Sequence, residues 1–162
     1  MQRIPRKNIY IRKHFRQFMA NKKTEKNEYD FIIIGAGVTG LAAGMYGARL
    51  GLKTLVLGKS HGSELPIGGV ITTTNIVENY PGFIRLTGTE LSENIRKHAE
   101  SYELVKIKEE EAKKVEKKGN VFRVATSDDE YHAKTILFAT GTKWRRLEAP
   151  GAREYENRGV NY

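Results

Sequence analysis

Apolar spacing changes along the chain, and each change marks an element. Ile32, Ile33 and Ile34 run without interruption, as in a strand buried on both faces. A helix of small residues follows from Leu41 to Leu50, with Gly51 ending it as a C-cap. Lys53 to Gly58 reads as a second parallel strand, which completes a β-α-β unit. After a long connection the spacing turns helical again from Thr87 to about Tyr102. Leu91, Ile95, Ala99 and Tyr102 make one apolar face, and Thr87 with Glu90 makes a capping box. Leu104 to Ile107 is a short third parallel strand. Short strands joined by the turns Lys118-Gly119-Asn120 and Ser127-Asp128-Asp129 then predict a β-meander. Its charge run, 106–118, reads as a solvated face. Thr135 to Gly141 is a further buried apolar strand that ends in small residues.

The first strand leads into Gly35-Ala36-Gly37-Val38-Thr39-Gly40 and the helix. Gly35 permits a sharp turn, Gly37 lets backbone approach a pyrophosphate, and Gly40 lets the helix pack closely on the strand. Free N–H groups and the positive dipole end of the helix face the phosphates. The competing reading is a tight β-α turn without a ligand. With this motif in place, the predicted fold is α/β. It is a Rossmann-like dinucleotide-binding parallel sheet with helices on its faces and an inserted β-meander, expected to be an incomplete domain because no helix or strand closes it near Tyr162.

Other chemistry gathers at the carboxyl ends of the strands. An acid that would hold ribose hydroxyls is expected after the second strand, but Gly58 and Lys59 stand there and the first acid is Glu64. Ribose recognition then falls to backbone, to a neighbouring side chain or to Glu64. Gly68-Gly69 and Thr72-Thr73-Thr74 are placed to meet a flat polar ligand, the alternative being a surface loop. Ala139, Thr140 and Gly141 admit a ligand backbone-first. Lys143, Arg145 and Arg146 could meet a phosphate, though exposure is the default, and Trp144 reads as loop packing. His98 is read as a solvated or packed residue, since no metal ligand or nucleophile accompanies it.

Composition narrows the function. The chain has 162 residues, with 39% hydrophobic and 29% charged, enough for one globular domain. It contains no cysteine, so disulfides, thiolate metal sites and cysteine-based catalysis are excluded within it. No apolar run approaches the roughly 18 residues of a membrane span. The net charge is +9, but residues 1–28 hold nine lysines and arginines against two glutamates, so most of it belongs to a tail. That tail, with Ile11, Phe15, Phe18 and Met19 at helical spacing, reads as a basic arm, an organellar presequence or a disordered extension. Met19 is an alternative start. The expected organisation is a tail over 1–28 and one cofactor-binding domain over 29–162, in a cytoplasmic protein (organellar if 1–18 is a presequence) with neither nucleic acid nor membrane as partner.

The order of motifs resembles the first half of low-molecular-weight thioredoxin reductase. The resemblance is carried by Gly35 to Gly40, Gly68-Gly69 with Thr72-Thr73-Thr74, Val77-Glu78-Asn79-Tyr80-Pro81-Gly82, Ala139-Thr140-Gly141 and Arg158-Gly159-Val160. It implies FAD as cofactor, with Gly35, Ala36, Gly37, Val38, Thr39 and Gly40 around the pyrophosphate. Gly58 and Lys59 fall beside the adenosine ribose, and Gly68 and Gly69 beside the flavin. Val70 stands where the family commonly has glutamine, Asn79 near the isoalloxazine, and Ala112, in the first meander strand, near adenine. Ala139, Thr140 and Gly141 close the site.

In the family, electrons pass from NADPH to FAD, to a Cys-x-x-Cys disulfide and to thioredoxin. That pair begins just after a segment like Gly159-Val160-Asn161-Tyr162. The expectation is therefore the FAD-binding portion of such an enzyme, in a truncated, split or interrupted product. The NADPH domain and Cys-x-x-Cys would lie outside it or on a second chain, and this portion alone would not reduce thioredoxin. A homodimer and a thioredoxin-like substrate are implied for the complete enzyme. An exposed apolar sheet edge, weak FAD affinity and self-association are expected of the isolated portion. The alternatives are a non-catalytic FAD or nucleotide-binding module, or half of a split flavoenzyme, including a ferredoxin–NADP reductase relative.

Overall fold

The computed structural model describes residues 27–58, 67–142 and 145–161. Its elements are β1 (Glu28–Ile34), α1 (Val38–Arg49), β2 (Thr54–Leu57), a 3₁₀ turn (Gly69–Thr73), α2 (Gly88–Glu100), β3 (Val105–Lys108), β4 (Lys114–Lys118), β5 (Val121–Ala125) and β6 (Glu130–Phe138). Among the described residues six strands form one sheet in the order β3-β2-β1-β6-β5-β4. The first four run parallel, in the register Ile33↔Val56 and Ile33↔Leu137, with Val56↔Ile107 at the edge. The last three form the antiparallel meander.

The uninterrupted isoleucines of β1 serve two cores. Ile33 joins Ala36, Ala48, Val56 and Val105 beneath α1. Ile32 joins Leu55, Leu57, Val124, Tyr131 and Ala133 on the opposite side, where Ala112 and Val115 also pack. Both isoleucines have no exposed surface, which explains why the strand does not alternate. Helix α1 approaches the sheet closely because its inward positions lack side chains. A Cβ on Gly44 would stand 2.7 Å from Val56 Cγ2, and one on Gly47 would stand 2.7 Å from Thr54 Oγ1. The predicted C-terminus is met with Leu50 as the cap and Gly51 beyond it at φ +82°. Helix α2 packs beside α1 and carries the expected capping box. Thr87 Oγ1 accepts from the Glu90 N–H, and Glu90 Oε2 accepts from the Thr87 N–H at 2.7 Å.

Three local readings are corrected. The last meander strand and the apolar strand after it are a single element, β6. It pairs with β5 only as far as Ala133, while it pairs with β1 as far as Phe138. Beyond Ala133 one of its sides has no described strand, so Leu137 and Phe138 are exposed (37% and 63%) rather than buried. Next, the charge run is not wholly a solvated face. Glu110 turns inward, where its carboxylate accepts from Tyr131 Oη at 2.8 Å, Thr126 Oγ1 at 2.8 Å and Lys108 Nζ at 3.0 Å. A buried tyrosine on β6 supplies a hydroxyl that needs a partner, and the carboxylate provides it. Third, Ala112 stands two residues before β4 and not within the first meander strand. Its backbone follows the meander edge through the Lys113 N–H, which donates to the Ala125 carbonyl at 2.8 Å.

At the start of the sheet, Asn27 is buried. Its Nδ2 donates to the Glu130 carbonyl at 3.0 Å, and its own carbonyl accepts from the His132 N–H at 3.0 Å. The reading of residues 1–26 as an arm, presequence or tail lies outside the described residues. Among the described residues no helix is long and apolar enough to cross a membrane.

Candidate functional site

The glycine motif stands at the carboxyl ends of β1, β2 and β6. Backbone bonds lock these ends together. The Gly35 N–H donates to the Leu57 carbonyl at 2.7 Å, and the Ala139 N–H donates to the Ile34 carbonyl at 2.8 Å. Gly35 sits against the Ala139 backbone so closely that a Cβ there would lie 2.5 Å from its carbonyl carbon and 3.0 Å from the Thr140 nitrogen. Gly40 packs against Gly35 itself: its Cβ would overlap the Gly35 carbonyl oxygen and lie 3.4 Å from Ile33 Cγ2. Gly58 abuts Ala36, since a Cβ would come within 2.6 Å of the Ala36 nitrogen. Position 58 thus has no room for an acidic side chain, which accounts for the departure noted at the end of β2.

Gly37 faces something else. Its neighbours are Gly68 and Gly69, with the Gly68 oxygen 3.7 Å from a Cβ on Gly37. The two segments form an isolated bridge, Gly37↔Gly68, and the Gly68 N–H donates to the Ala36 carbonyl at 2.8 Å. Gly68 and Gly69 have φ of +128° and +75°, angles that favour glycine. The long connection therefore returns to the motif and places backbone beside it. Helix α1 begins at the same spot. Leu41 makes the first bond to Gly37, so the N–H groups of Val38, Thr39 and Gly40 precede any intrahelical bond, and the first turn contains no acid. The result is a cradle of backbone donors and small residues at a positive helix end, suited to an anionic, extended ligand.

The remaining predicted residues divide. Val70 enters the 3₁₀ turn and is 56% exposed. Asn79 is exposed in the loop closed by the Val77–Leu86 bridge, whose tip holds Tyr80 and Phe83 with ring centroids 6.4 Å apart. This loop connects to the cradle through backbone, since the Gly88 N–H donates to the Thr74 carbonyl at 2.9 Å. Ala139 is half-buried against the α1-side core, whereas Thr140 and Gly141 are exposed. Ala112 is half-buried in the other core. Lys59, Glu64, Lys143 and Trp144 lie outside the described residues.

Some expected donors are otherwise engaged. The Thr72 and Thr73 hydroxyls donate to the Gly69 and Val70 carbonyls, each at 2.8 Å, and so brace the turn internally. Arg146 pairs with Glu156 at 3.5 Å beside a concavity of about 570 Å³ that shares no residue with the cradle. His98 is exposed and packs its ring near Tyr102, with centroids 6.0 Å apart. Among the described residues no cluster of histidine and acidic side chains could hold a metal ion.

Sequence reading missed Gly88 and Ser92, the α2 residues behind the Gly68-Gly69 loop, and also the inward role of Glu110. A glycine just after an N-cap, where better helix formers are available, was the one local signal. Burial alone would raise the Glu110 pKa. The hydrogen bonds from Lys108, Tyr131 and Thr126, with the Lys108 charge, outweigh it and hold the carboxyl below its usual range. Burial is likewise the main cause that pushes the Tyr131 phenol up to about 12.

These strands and this cradle define an FAD/NAD(P)-binding Rossmann-like fold. Residues 29–162 match the pyridine nucleotide-disulphide oxidoreductase family, and the chain belongs to that family. It is 37% identical over 139 residues to a thioredoxin reductase of Treponema pallidum, a match covering 85% of this chain and 43% of that protein. A thioredoxin reductase of Bacillus subtilis is 34% identical over 146 residues, covering 86% and 42%. Among solved structures, thioredoxin reductase of Lactococcus lactis superposes with a TM-score of 0.68 at 38% identity, covering 78% of this chain and 40% of that one. The chain thus spans less than half the length of the relatives it matches.

Proposed function

We propose that this chain is the FAD-binding part of a thioredoxin reductase-like enzyme. The observation that carries the reading is the meeting of Gly37 with Gly68-Gly69 at the free N-terminus of α1, within a chain of this family. The fit to FAD rests on small residues where the ligand would pass and on donors without a competing acid. The N–H groups of Val38, Thr39 and Gly40 would hold the pyrophosphate, and Gly37 would keep that approach open. Gly58 would lie beside the adenosine ribose with Lys59, and Ala112 toward adenine. Gly68, Gly69 and Val70 would flank the flavin, with the Asn79 amide offering a donor to its ring. Ala139, Thr140 and Gly141 would close the site with backbone.

Bound FAD would supply the two-electron redox chemistry, while the protein orients it and limits solvent access. Thiol–disulfide exchange needs a thiolate, and this chain contains no cysteine. The Cys-x-x-Cys and NADPH-binding domain are therefore assigned to the complete enzyme or a second chain, with a thioredoxin-like protein as substrate and a homodimer as its assembly. We place it in the cytoplasm, as one domain over residues 29–162.

Titration of the purified chain with FAD tests the reading. Saturable uptake with a shifted visible spectrum is expected, as is bleaching by NADPH only after a chain carrying the other parts is added. Saturable uptake with no bleaching under that addition favours a non-catalytic FAD module. A chain that takes up no FAD refutes the flavin reading altogether.

A further inference from the structure

The Gly68-Gly69 loop is held from both sides. On one side stands Gly37, whose Cα would be 3.2 Å from a Cβ on Gly69. On the other stands Ser92 of α2, which is 2% exposed. A Cβ on Gly68 would lie 2.6 Å from Ser92 Oγ, 2.7 Å from Ser92 Cβ and 2.7 Å from Thr72 Cγ2. The Ser92 hydroxyl donates to the Thr89 carbonyl at 2.9 Å, so it is folded back onto its own helix. It therefore presents a small, internally satisfied surface to the loop.

The rest of the first turns of α2 engages the same segment. Gly88 is buried so close to Ile71 that a Cβ would stand 2.6 Å from its carbonyl carbon and 3.1 Å from the Thr74 oxygen. Thr89 Oγ1 donates to the Thr72 carbonyl at 3.3 Å. The capping box fixes where this end of the helix begins. The 3₁₀ turn is thus seated on a plate made by Gly88, Thr89 and Ser92.

We infer that Ser92 is a positioning residue: its size sets the distance of the Gly68-Gly69 loop from Gly37 and so the width of the cradle. The consequence for flavin rests on the reading of the site given above, whereas the consequence for the loop does not. A larger side chain at 92 has one open direction in which to push, because α2 is anchored behind it by its buried Leu91 and Ala99. Gly68 must move toward Gly37, and its N–H bond to the Ala36 carbonyl is distorted. Loss of the hydroxyl alone changes little, since its hydrogen bond stays within α2 and none runs to the loop.

The experiment compares the full chain with Ser92→Val and Ser92→Ala by two measurements. Hydrogen exchange across residues 67–74 reads loop position without any cofactor, and FAD titration reads the cradle. Ser92→Val is expected to exchange at least about tenfold faster across 67–74, with α1 and β1 unchanged, and to bind FAD about tenfold more weakly with an altered visible spectrum. Ser92→Ala is expected to restore both readouts to wild type. If wild type takes up no FAD but Ser92→Val still loosens 67–74, the flavin reading falls and the positioning role stands. Unchanged exchange in Ser92→Val overturns the positioning role, as does equal loosening in Ser92→Ala. Should Ser92→Val not fold, Ser92→Thr, which adds one methyl group to serine, takes its place under the same criteria.

Discussion

Replacing Gly40 by alanine separates a local preference from a tertiary constraint. In an isolated helix the change stabilises by about 1 kcal/mol, because glycine is a poor helix former. In this protein the new methyl would overlap the Gly35 carbonyl oxygen and stand 3.0 Å from its carbon, where ordinary contacts begin at 3.4 Å. That neighbour is backbone held on both sides, by Leu57 and by Ala139, so it cannot rotate away. Overpacking of this kind costs about 3 kcal/mol or somewhat more. The tertiary effect wins, and Gly40→Ala is expected to be about 2 kcal/mol less stable than wild type. For a chain of this length that lowers the melting temperature by roughly 4–8 °C. Gly44→Ala is the internal control. Its methyl would meet Val56 Cγ2 at 2.7 Å, a side-chain atom that can shift, so its cost and its helical gain nearly cancel. Urea unfolding followed by circular dichroism measures both. If Gly40→Ala proves as stable as Gly44→Ala, the claim that α1 is docked through Gly40 against the β1 turn would be refuted.

Removal of the Thr87 side-chain cap, as Thr87→Ala, is expected to cost about 1 kcal/mol in the same assay and to raise hydrogen exchange in the first turn of α2. Glu110→Gln leaves Lys108 facing a neutral amide beside a buried tyrosine. A loss of about 1–3 kcal/mol is expected from denaturant unfolding at neutral pH, less than for a fully buried pair because Lys108 is partly exposed. The folded-state pKa of Glu110 is depressed, so its contribution is present above the ordinary value of 4.5 and fades as pH falls through the lower folded value. The wild-type acid transition should therefore flatten in Glu110→Gln, and an unchanged pH profile would contradict the network. Tyr131 behaves in the opposite sense. Its pKa is raised from 10.0 to about 12, so the stability it adds is complete below pH 10 and lost between pH 10 and 12. Melting curves of Tyr131→Phe should lack that part of the alkaline loss.

The sequence alone determined the features whose physics is short-range. The strand-turn-helix order around Gly35, Gly37 and Gly40, the capping box of Thr87 and Glu90, and the turns at Gly119 and at Asp128-Asp129 each depend on spacing within a few residues. Their backbone and capping requirements are visible in the residues themselves. Even the family resemblance grew from the order of such local pieces. Tertiary structure decided what distant segments do to one another. It joined two expected strands into β6, because β1 pairs along its whole length while β5 stops at Ala133. It turned Glu110 from a charged face toward Tyr131, because a buried hydroxyl required a partner. It also set Gly68-Gly69 between Gly37 and Ser92. No periodicity could indicate that last arrangement, since it is a fit between two backbone segments and the side chain of Ser92, whose only sequence trace is the small size of the residues.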